Sequence, residues 1–409
     1  MDGYELYFEH SVKLVEEYSN SPEISHKEKQ EERGVSITAI KGGGMSNYYI
    51  GSWNQKEIEK GIRIAFENAL LANSNDKYDF AEERKCSNYV RNMPKELFDY
   101  IKIKEDFKDR NLGVLNRVIV NYFYSDVKIK NTKGFNNGYN SGLLVANYEV
   151  GETNTWGRAI GHNVQELYAD MLNDTWIKYK SKKYPIQYNI VNQSCQCILL
   201  QKSFSVIFSA LMRIFIGRLE NEHIYIVEQL KEYAGELEII DDGTTKKGFA
   251  TAPFDCEGRI TKKKNLIVKN KLTNFLWDAY DEPIHMVVSS GNKLKNSYRE
   301  KSYIGFTNII IEGDKRQVCD VFDEGYLIDN VAYLPDSIDW NTGSFHFPVS
   351  GYFIKDDNIQ YKIPRFTIKG TIVDLFRKAQ LLVSDEKWTI SGTAIKTSAI
   401  LVRDLGVSL

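Results

Sequence analysis

The chain has 409 residues, 42% hydrophobic and 26% charged, and is long enough for two or three domains with substantial cores. Its 53 basic and 55 acidic residues leave a net charge of -2, which excludes bulk electrostatic attraction to nucleic acid or to an anionic membrane. No uncharged apolar stretch reaches the roughly 18 residues of a membrane-spanning helix. Glu5, Glu9 and His10 also interrupt any secretory signal at the start, so we expect no export.

The five cysteines are an odd number and widely scattered, which does not indicate a disulfide framework. We therefore expect a reducing, cytoplasmic location. Cys195 and Cys197 have a spacing that could hold a soft metal. The run VNQSCQCILL around them is typical of a strand, however, and no second Cys or His cluster lies nearby in the sequence. A structural role for this pair is favoured.

The amino-terminal region is predicted to pack helices on an antiparallel sheet. Apolar side chains recur near helical spacing over residues 3–20, which predicts an amphipathic helix. Alternating residues at 24–27, 34–40 and 46–50 predict strands, and Lys41–Gly44 predicts the hairpin turn between the last two. This glycine-rich turn lacks the Lys-Ser/Thr pair that a phosphate-binding loop requires. A second amphipathic helix is predicted over 54–71.

The middle of the chain alternates between segments of different type. Residues 73–110 are predicted as a loop with a short helix. From Leu115, alternating residues and the turn at 131–138 predict another hairpin-type sheet. A helix is predicted over 165–182, and Pro185 ends it.

The carboxy-terminal half is predicted to begin with one long apolar helix over 198–230. The segment LEIIDDG follows, and strands dominate from Pro253 onward. We therefore predict an α+β protein. Its amino-terminal α+β domain would span 1–184, and a strand-rich, barrel- or sandwich-like domain would span 185–409.

Short polar turns and strands follow one another in a fixed order in this second half. In order they are APFDCEGR at 252–259, NLIVKNKL at 265–272, SGN at 290–292 with SYR at 297–299, FTNIIIEG at 306–313, NTGSF at 341–345, VSGYFIKD at 349–356 and IKGT at 368–371. The Lys269-Asn270 turn predicts a reversal into an apolar strand over 272–277. Order and spacing together resemble the TldD/PmbA family, also called modulator of DNA gyrase. The amino-terminal third agrees more loosely, through segments such as ERGVSITAIKGGG and VKIKNTKG.

The resemblance implies a zinc peptidase relationship. Catalytic members carry a helix with His-Glu-x-x-x-His and a carboxy-terminal cysteine that together hold zinc, which activates water for hydrolysis. Counting back from the Leu219-Glu220 anchor places Met212, Arg213 and Gly217 at the three motif positions. The carboxy-terminal segment contains Thr397 and Ser398 but no cysteine. The resemblance therefore implies no catalytic residue, no metal ligand and no cofactor in this chain.

Two acidic arrangements offer alternative sites. Glu220, Glu222 and His223 lie together in sequence, with His346 further on, but residues two apart do not share a helix face, so a rebuilt zinc site is disfavoured. Asp241 and Asp242 could form a carboxylate dyad. Adjacent residues of a turn point apart, and a turn-forming role is favoured.

By resemblance, the leading functional hypothesis is a non-catalytic TldE/PmbA-like subunit of a zinc peptidase complex. Its heterodimeric TldD-like partner would carry the zinc, and the substrates would be leader peptides or unfolded polypeptides. The alternative is a stand-alone homodimeric protein that binds or matures peptides without protease activity. We expect no membrane partner and no direct nucleic-acid binding. The residues predicted to line a substrate cavity are Asn292, Arg299, Asn308, Thr342 and Phe345.

Overall fold

The computed structural model describes residues 2–72, 78–84, 86, 98–151, 155–180, 182–188, 190, 193–332, 335–356 and 358–409. The chain divides into two compact units, each assembled from separate stretches of sequence. Unit 1 comprises Met1–Lys183, Thr251–Thr261 and Asp278–Ile304. Unit 2 comprises Tyr184–Ala250, Lys262–Trp277 and Gly305–Leu409.

Unit 1 is built on a six-stranded antiparallel sheet with the order β3-β2-β1-β4-β5-β6. Its elements up to the first crossing into unit 2 are, in chain order, β1 Gly3–Ser19, β2 Ile24–Lys41, β3 Gly44–Ile50, α1 Gln55–Leu71, α2 Tyr100–Asp109, β4 Leu115–Asn131, β5 Asn136–Val150, β6 Thr155–Gly161, α3 Val164–Leu172 and α4 Thr175–Lys180.

The prediction of a helix over residues 3–20 is wrong, because this segment is the long strand β1. It pairs with β2 on one side and with β4 on the other along most of its length. Both strand faces carry buried side chains, so apolar residues do not alternate cleanly and the period is ambiguous in sequence. Pairing on both edges, with the adjacent β2 and the distant β4, overrides the local preference.

The predicted β2-β3 hairpin and the helix over 54–71 are confirmed. Gly42 and Gly43 make the turn with φ of 56° and 80°, a left-handed conformation that glycine adopts without steric cost. Helix α1 begins after Asn54, whose side chain caps the Lys56 N–H. Its apolar face packs on Leu6, Val35, Ile37 and Ala39 of the sheet. The face of β1, β2 and β3 that points away from α1 does not contact this helix.

The other helices of the amino-terminal part pack near β4, β5 and β6 around the buried residues Ile103, Phe107, Leu167 and Met171. The short helix expected within 73–110 is α2. The segments 73–77 and 87–97 and residue 85 lie outside the described residues. The single helix predicted over 165–182 is instead two, α3 and α4, because α3 ends at a C-cap, Asn173, in a non-helical conformation.

The remaining elements run to the end of the chain. In order they are β7 Gln193–Leu199, α5 Gln201–Ala210, α6 Ile224–Glu232, β8 Glu238–Asp242, β9 Lys263–Val268, β10 Lys271–Leu272, α7 Asp281–His285, β11 Lys293–Leu294, β12 Tyr303–Ile304, β13 Asn308–Glu312, β14 Lys315–Arg316, α8 Val318–Val321, β15 Glu324–Val331, β16 Ile338–Asp339, β17 Ser344–Lys355, β18 Asn358–Thr371, α9 Ile372–Lys378, β19 Ala379–Leu382, β20 Lys387–Ser391, β21 Thr393–Thr397 and β22 Ile400–Ser408. Short 3-10 helices lie at Met212–Phe215, Gly217–His223 and Pro335–Ser337.

Unit 2 contains two sheets. Five strands of the larger sheet close into a ring. Their spatial order is β7-β22-β18-β17-β15, and β15 also pairs with β7. The second sheet has the order β10-β9-β8-β13-β21-β20. The predicted α+β class with a strand-rich, barrel-like carboxy-terminal region is confirmed. Among the described residues, no helix has the length and apolar character needed to cross a membrane.

Two predicted elements of unit 2 differ from the structure. The long helix over 198–230 is broken into α5, two 3-10 helices and α6. The break lies where the Leu276 N–H donates to Phe215 O and the Gly217 N–H donates to Leu276 O. The strand predicted over 272–277 stops after Leu272. Hydrogen bonds to a distant segment replace the helical ladder here, and no local pattern encodes them.

Candidate functional site

Met212, Arg213 and Gly217, the positions that the resemblance assigns to the zinc motif, lie in the 3-10 helices of unit 2. Arg213 donates to a Glu222 carboxylate oxygen at 3.1 Å, and its guanidinium lies 5.3 Å from the centroid of the Trp340 ring. A Cβ atom on Gly217 would lie 2.1 Å from the Trp277 ring. The indole therefore fills the space that a side chain at position 217 would need.

His223 is a buried polar side chain in the same region of unit 2. It is 4% exposed, its ring centroid lies 4.8 Å from that of Trp340, and neither ring nitrogen makes a hydrogen bond of good geometry. Burial and, secondarily, the neighbouring Arg213 cation lower the pKa of His223. The histidine is thus held in its neutral form against an aromatic ring.

This pKa shift predicts a specific loss of stability in mild acid. The unfolded chain takes up a proton on His223 near pH 6.5, whereas the folded chain does so only at lower pH. The free energy of unfolding should therefore fall between pH 7.5 and 5.5 more steeply for the wild type than for His223→Leu. Urea unfolding at both pH values measures the difference. Parallel losses in the two proteins would contradict it.

The residues of this region do not fit a zinc ion. Glu220 pairs with Lys231, and Glu222 pairs with Arg213, so both carboxylates are engaged by cations. His346, the other residue considered for a rebuilt site, is exposed on β17. Within the described part of the chain, no three His, Cys, Asp or Glu side chains are grouped so that they could share a metal ion.

The Cys195–Cys197 pair lies on β7, as its strand-like surroundings predict. The two sulfur atoms are 3.9 Å apart, and Cys195 Sγ also donates weakly to Leu405 O. Both cysteines are free thiols, and Cys197 is buried in unit 2.

The five residues predicted to line a cavity fall in both units. Asn292 and Arg299 belong to unit 1, where Asn292 is fully buried and Arg299 is exposed. The other three belong to unit 2. Asn308 is buried and its side chain binds Asp242 O and Ala250 N, Thr342 lies in an exposed turn, and Phe345 is a core residue of β17. A role of these residues in substrate contact stays a prediction.

Unit 1 contains a pocket of about 360 Å³ on the sheet face opposite α1. Strands β1, β2 and β3 supply alternate residues to it, because side chains two apart share one face of a strand. Tyr78, Cys256 and Glu257 line it as well, together with Lys295 and Tyr298–Ser302. Two rows of side chains that lie opposite one another across β1, β2 and β3 line the pocket. One row is Tyr7, Ser36 and Tyr49, and the other is Glu5, Thr38 and Asn47.

A turn beside the pocket is held by Asp255. Its carboxylate accepts from the backbone N–H groups of Glu257, Arg259 and Lys293 at 2.9–3.0 Å. Gly258 completes the turn with φ of 72°. Asp255 thus satisfies backbone donors beside a turn glycine and fixes the backbone of Glu257.

The pocket contains carboxyl groups that burial keeps from ionising readily. Desolvation raises the pKa of Glu5 to about 7, although a hydrogen bond from Asn131 opposes the shift. Desolvation also raises the pKa of Glu257, against the pull of the Lys293 cation. Lys295 shows the complementary effect, since burial lowers its pKa. Perturbed acids and a perturbed base in one cavity are typical of functional sites.

Sequence reasoning found only Arg299 among the residues that line this pocket. A helix over 3–20 would have put Glu5 and Tyr7 on different faces, whereas a strand puts them on the same face. Clean alternation at 34–40 was the available signal for Ser36 and Thr38. Lys295 had no signal, because a lysine in a polar loop is usually solvated.

Comparisons with known proteins agree with one another. The family description PmbA/TldA metallopeptidase C-terminal domain matches residues 193–409. An uncharacterized protein of Methanocaldococcus jannaschii is 25% identical over 405 residues, which is 91% of either chain. A metalloprotease TldD homolog of Buchnera aphidicola is 29% identical over 160 residues, which cover 38% of this chain and 33% of that relative.

Solved structures show the same fold. TldE from Thermococcus kodakarensis superposes with a TM-score of 0.84 at 18% identity and covers 100% of this chain and 97% of its own. A proposed modulator of a DNA gyrase from Thermotoga maritima gives a TM-score of 0.75 at 18% identity, covering 100% of this chain and 96% of its own. The family match and the shared fold together establish that this chain belongs to the TldD/PmbA family.

Proposed function

We propose that this chain is a non-catalytic, TldE-like subunit that acts with a zinc-bearing TldD-like partner on leader peptides or unfolded polypeptides. The observation that carries the proposal is the set of contacts made by Arg213 and Gly217. Arg213, which the resemblance assigns to the position of the general base, pairs with Glu222, and Trp277 fills the space beside Gly217. The chain would contribute structure and substrate contacts, and the partner would contribute the zinc ligands.

The strand-rich architecture supports a role in peptide contact. An extended peptide binds an exposed strand edge through main-chain hydrogen bonds, and side-chain pockets select its sequence. In unit 1, residues 24–33 of β2 pair with β1, whereas β3 pairs only with residues 35–41. Among the described strands, this stretch of β2 therefore has a sheet partner on one side only.

Co-purification tests the proposal. The tagged chain, recovered from its native cells under mild conditions, is expected to bring down a relative with the His-Glu-x-x-x-His motif at equal stoichiometry. The complex should contain about one zinc per heterodimer by mass spectrometry of the metal, and a chelator should abolish its peptidase activity. The chain expressed alone is the control and should contain no stoichiometric zinc.

Two other outcomes would redirect the interpretation. Stoichiometric zinc in the isolated chain, with peptidase activity that a chelator removes, would contradict the proposal. Recovery of the chain only with itself would favour the alternative of a stand-alone homodimeric protein that binds peptides.

A further inference from the structure

Lys295 places an ammonium group in the pocket of unit 1. Its Nζ donates to Ser36 Oγ at 2.7 Å and lies 5.1 Å from the centroid of the Tyr7 ring. An ammonium group has three donors. The described residues provide no carboxylate oxygen within 4.0 Å of this nitrogen, although acidic side chains line the same cavity. The cation therefore retains donor capacity for a ligand.

The pocket brings cationic and acidic side chains together. Lys295, Arg299 and Lys301 line it, as do the three acids Glu5, Glu257 and Glu300. Burial raises the pKa of two of these acids, Glu5 and Glu257, so they carry only part of their formal negative charge near pH 7. Burial lowers the pKa of Lys295 as well, so the attraction for an anion comes from the unused donors of Lys295 and from the nearby Arg299 and Lys301 rather than from a sum of charges.

The size and the walls of the pocket restrict the ligand. A volume of about 360 Å³ is near the lower end of the range for small-molecule sites. Tyr7, Tyr49, Tyr78 and Tyr298 provide aromatic walls with polar ends. Glu5 accepts a hydrogen bond from Asn131 at 3.3 Å, and its carboxyl group is available in the cavity to accept from an amino or amide group.

We propose that this pocket binds the carboxylate of an amino acid or of a peptide carboxyl end, with Lys295 and Ser36 as the residues that contact the anion. Lys295 Nζ supplies a charge-assisted hydrogen bond, and Ser36 Oγ–H supplies a second donor from the floor of the sheet. The inference requires no zinc and no partner subunit, so it stands apart from the proposed role in a peptidase complex.

Calorimetric titration of the full chain alone tests this inference. The probes are L-alanyl-L-alanine, its carboxy-terminal amide, and L-alanine. The dipeptide acid is expected to bind about tenfold or more tightly than the amide, the factor for one hydrogen bond to a charged group. Lys295→Met should weaken binding of the acid by a similar factor, and Ser36→Ala should weaken it less.

Lys60→Met is the matched control, because Lys60 is exposed on α1 and does not line the pocket. It should bind the acid like the wild type. Circular dichroism and thermal unfolding establish that each variant is folded, and the comparison of acid with amide on the wild type needs no variant. Binding of the dipeptide but not of alanine would identify a peptide end as the ligand, and binding of both would identify the amino acid unit. Equal affinity for acid and amide, no binding of any probe, or an unaltered Lys295→Met would overturn the inference.

Discussion

Replacing Asp241 by alanine is expected to lower the free energy of unfolding by about 3–5 kcal/mol, the usual cost of removing one partner of a buried ion pair. The Asp241 carboxylate is fully buried in unit 2, and one of its oxygens lies 2.9 Å from Lys264 Nζ. The other oxygen accepts from the Thr307 N–H and Oγ1–H, both at 2.7 Å. One side chain thus connects β8 and β9 to the start of β13.

Urea unfolding of the variant, followed by circular dichroism, measures this loss. Asp242→Ala is the matched control, because among the described residues the Asp242 carboxylate accepts from the N–H and hydroxyl of Thr244 in a local turn. That change should cost about 1 kcal/mol. Asp241→Asn separates the charge from the hydrogen bonds and should give an intermediate loss. Equal effects of the two alanine variants would show that the buried network contributes little.

Gly217→Ala is expected to destabilise the fold by about 2–3 kcal/mol, since overpacking a buried site typically costs about 1–3 kcal/mol. The added Cβ would meet three atoms of the Trp277 ring at 2.1–2.4 Å. The Gly217 N–H also bonds to Leu276 O at 3.1 Å, which limits how far the backbone can withdraw. A histidine at this position would meet the same ring with a larger side chain.

Thermal and urea unfolding measure the effect of this substitution. Gly406→Ala is the matched control, because a Cβ there would lie 3.5 Å from its nearest neighbours, an ordinary contact. A smaller ring neighbour should relieve the clash, so Trp277→Leu should cost less in the Gly217→Ala background than in the wild type. Additive effects of the two changes would contradict the proposed contact. Such a result would also weaken the argument that Trp277 excludes a zinc ligand.

Local patterns predicted the elements whose signals are short-range. Helix α1 has an Asn54 cap and a regular apolar face, and the β2-β3 hairpin has glycines at the two left-handed positions. The Lys269-Asn270 turn was also predicted, and both residues adopt positive φ, of 49° and 65°. Such features depend on neighbours within a few residues, so they are legible in sequence.

Two predicted helices are wrong because long-range hydrogen bonds determine the structure of their segments. Residues 3–19 form a central strand because β2 and β4 pair with both of its edges, and residues 198–230 break because Leu276 bonds into the segment. Strand β4 and Leu276 both lie far from these segments in sequence. Each error also hid part of a site, since Glu5 and Tyr7 share a face only in a strand and Gly217 meets Trp277 only after the helix breaks.

By itself, the sequence determined the α+β class and the family resemblance, because these depend on residue type and order along the chain. The tertiary structure alone decided that Thr251–Thr261 and Asp278–Ile304 belong to unit 1. It also decided that Lys295 meets Ser36, 259 residues away, across a pocket with buried acids. Burial and long-range contact set the charge state of these groups, and neither is encoded in local spacing.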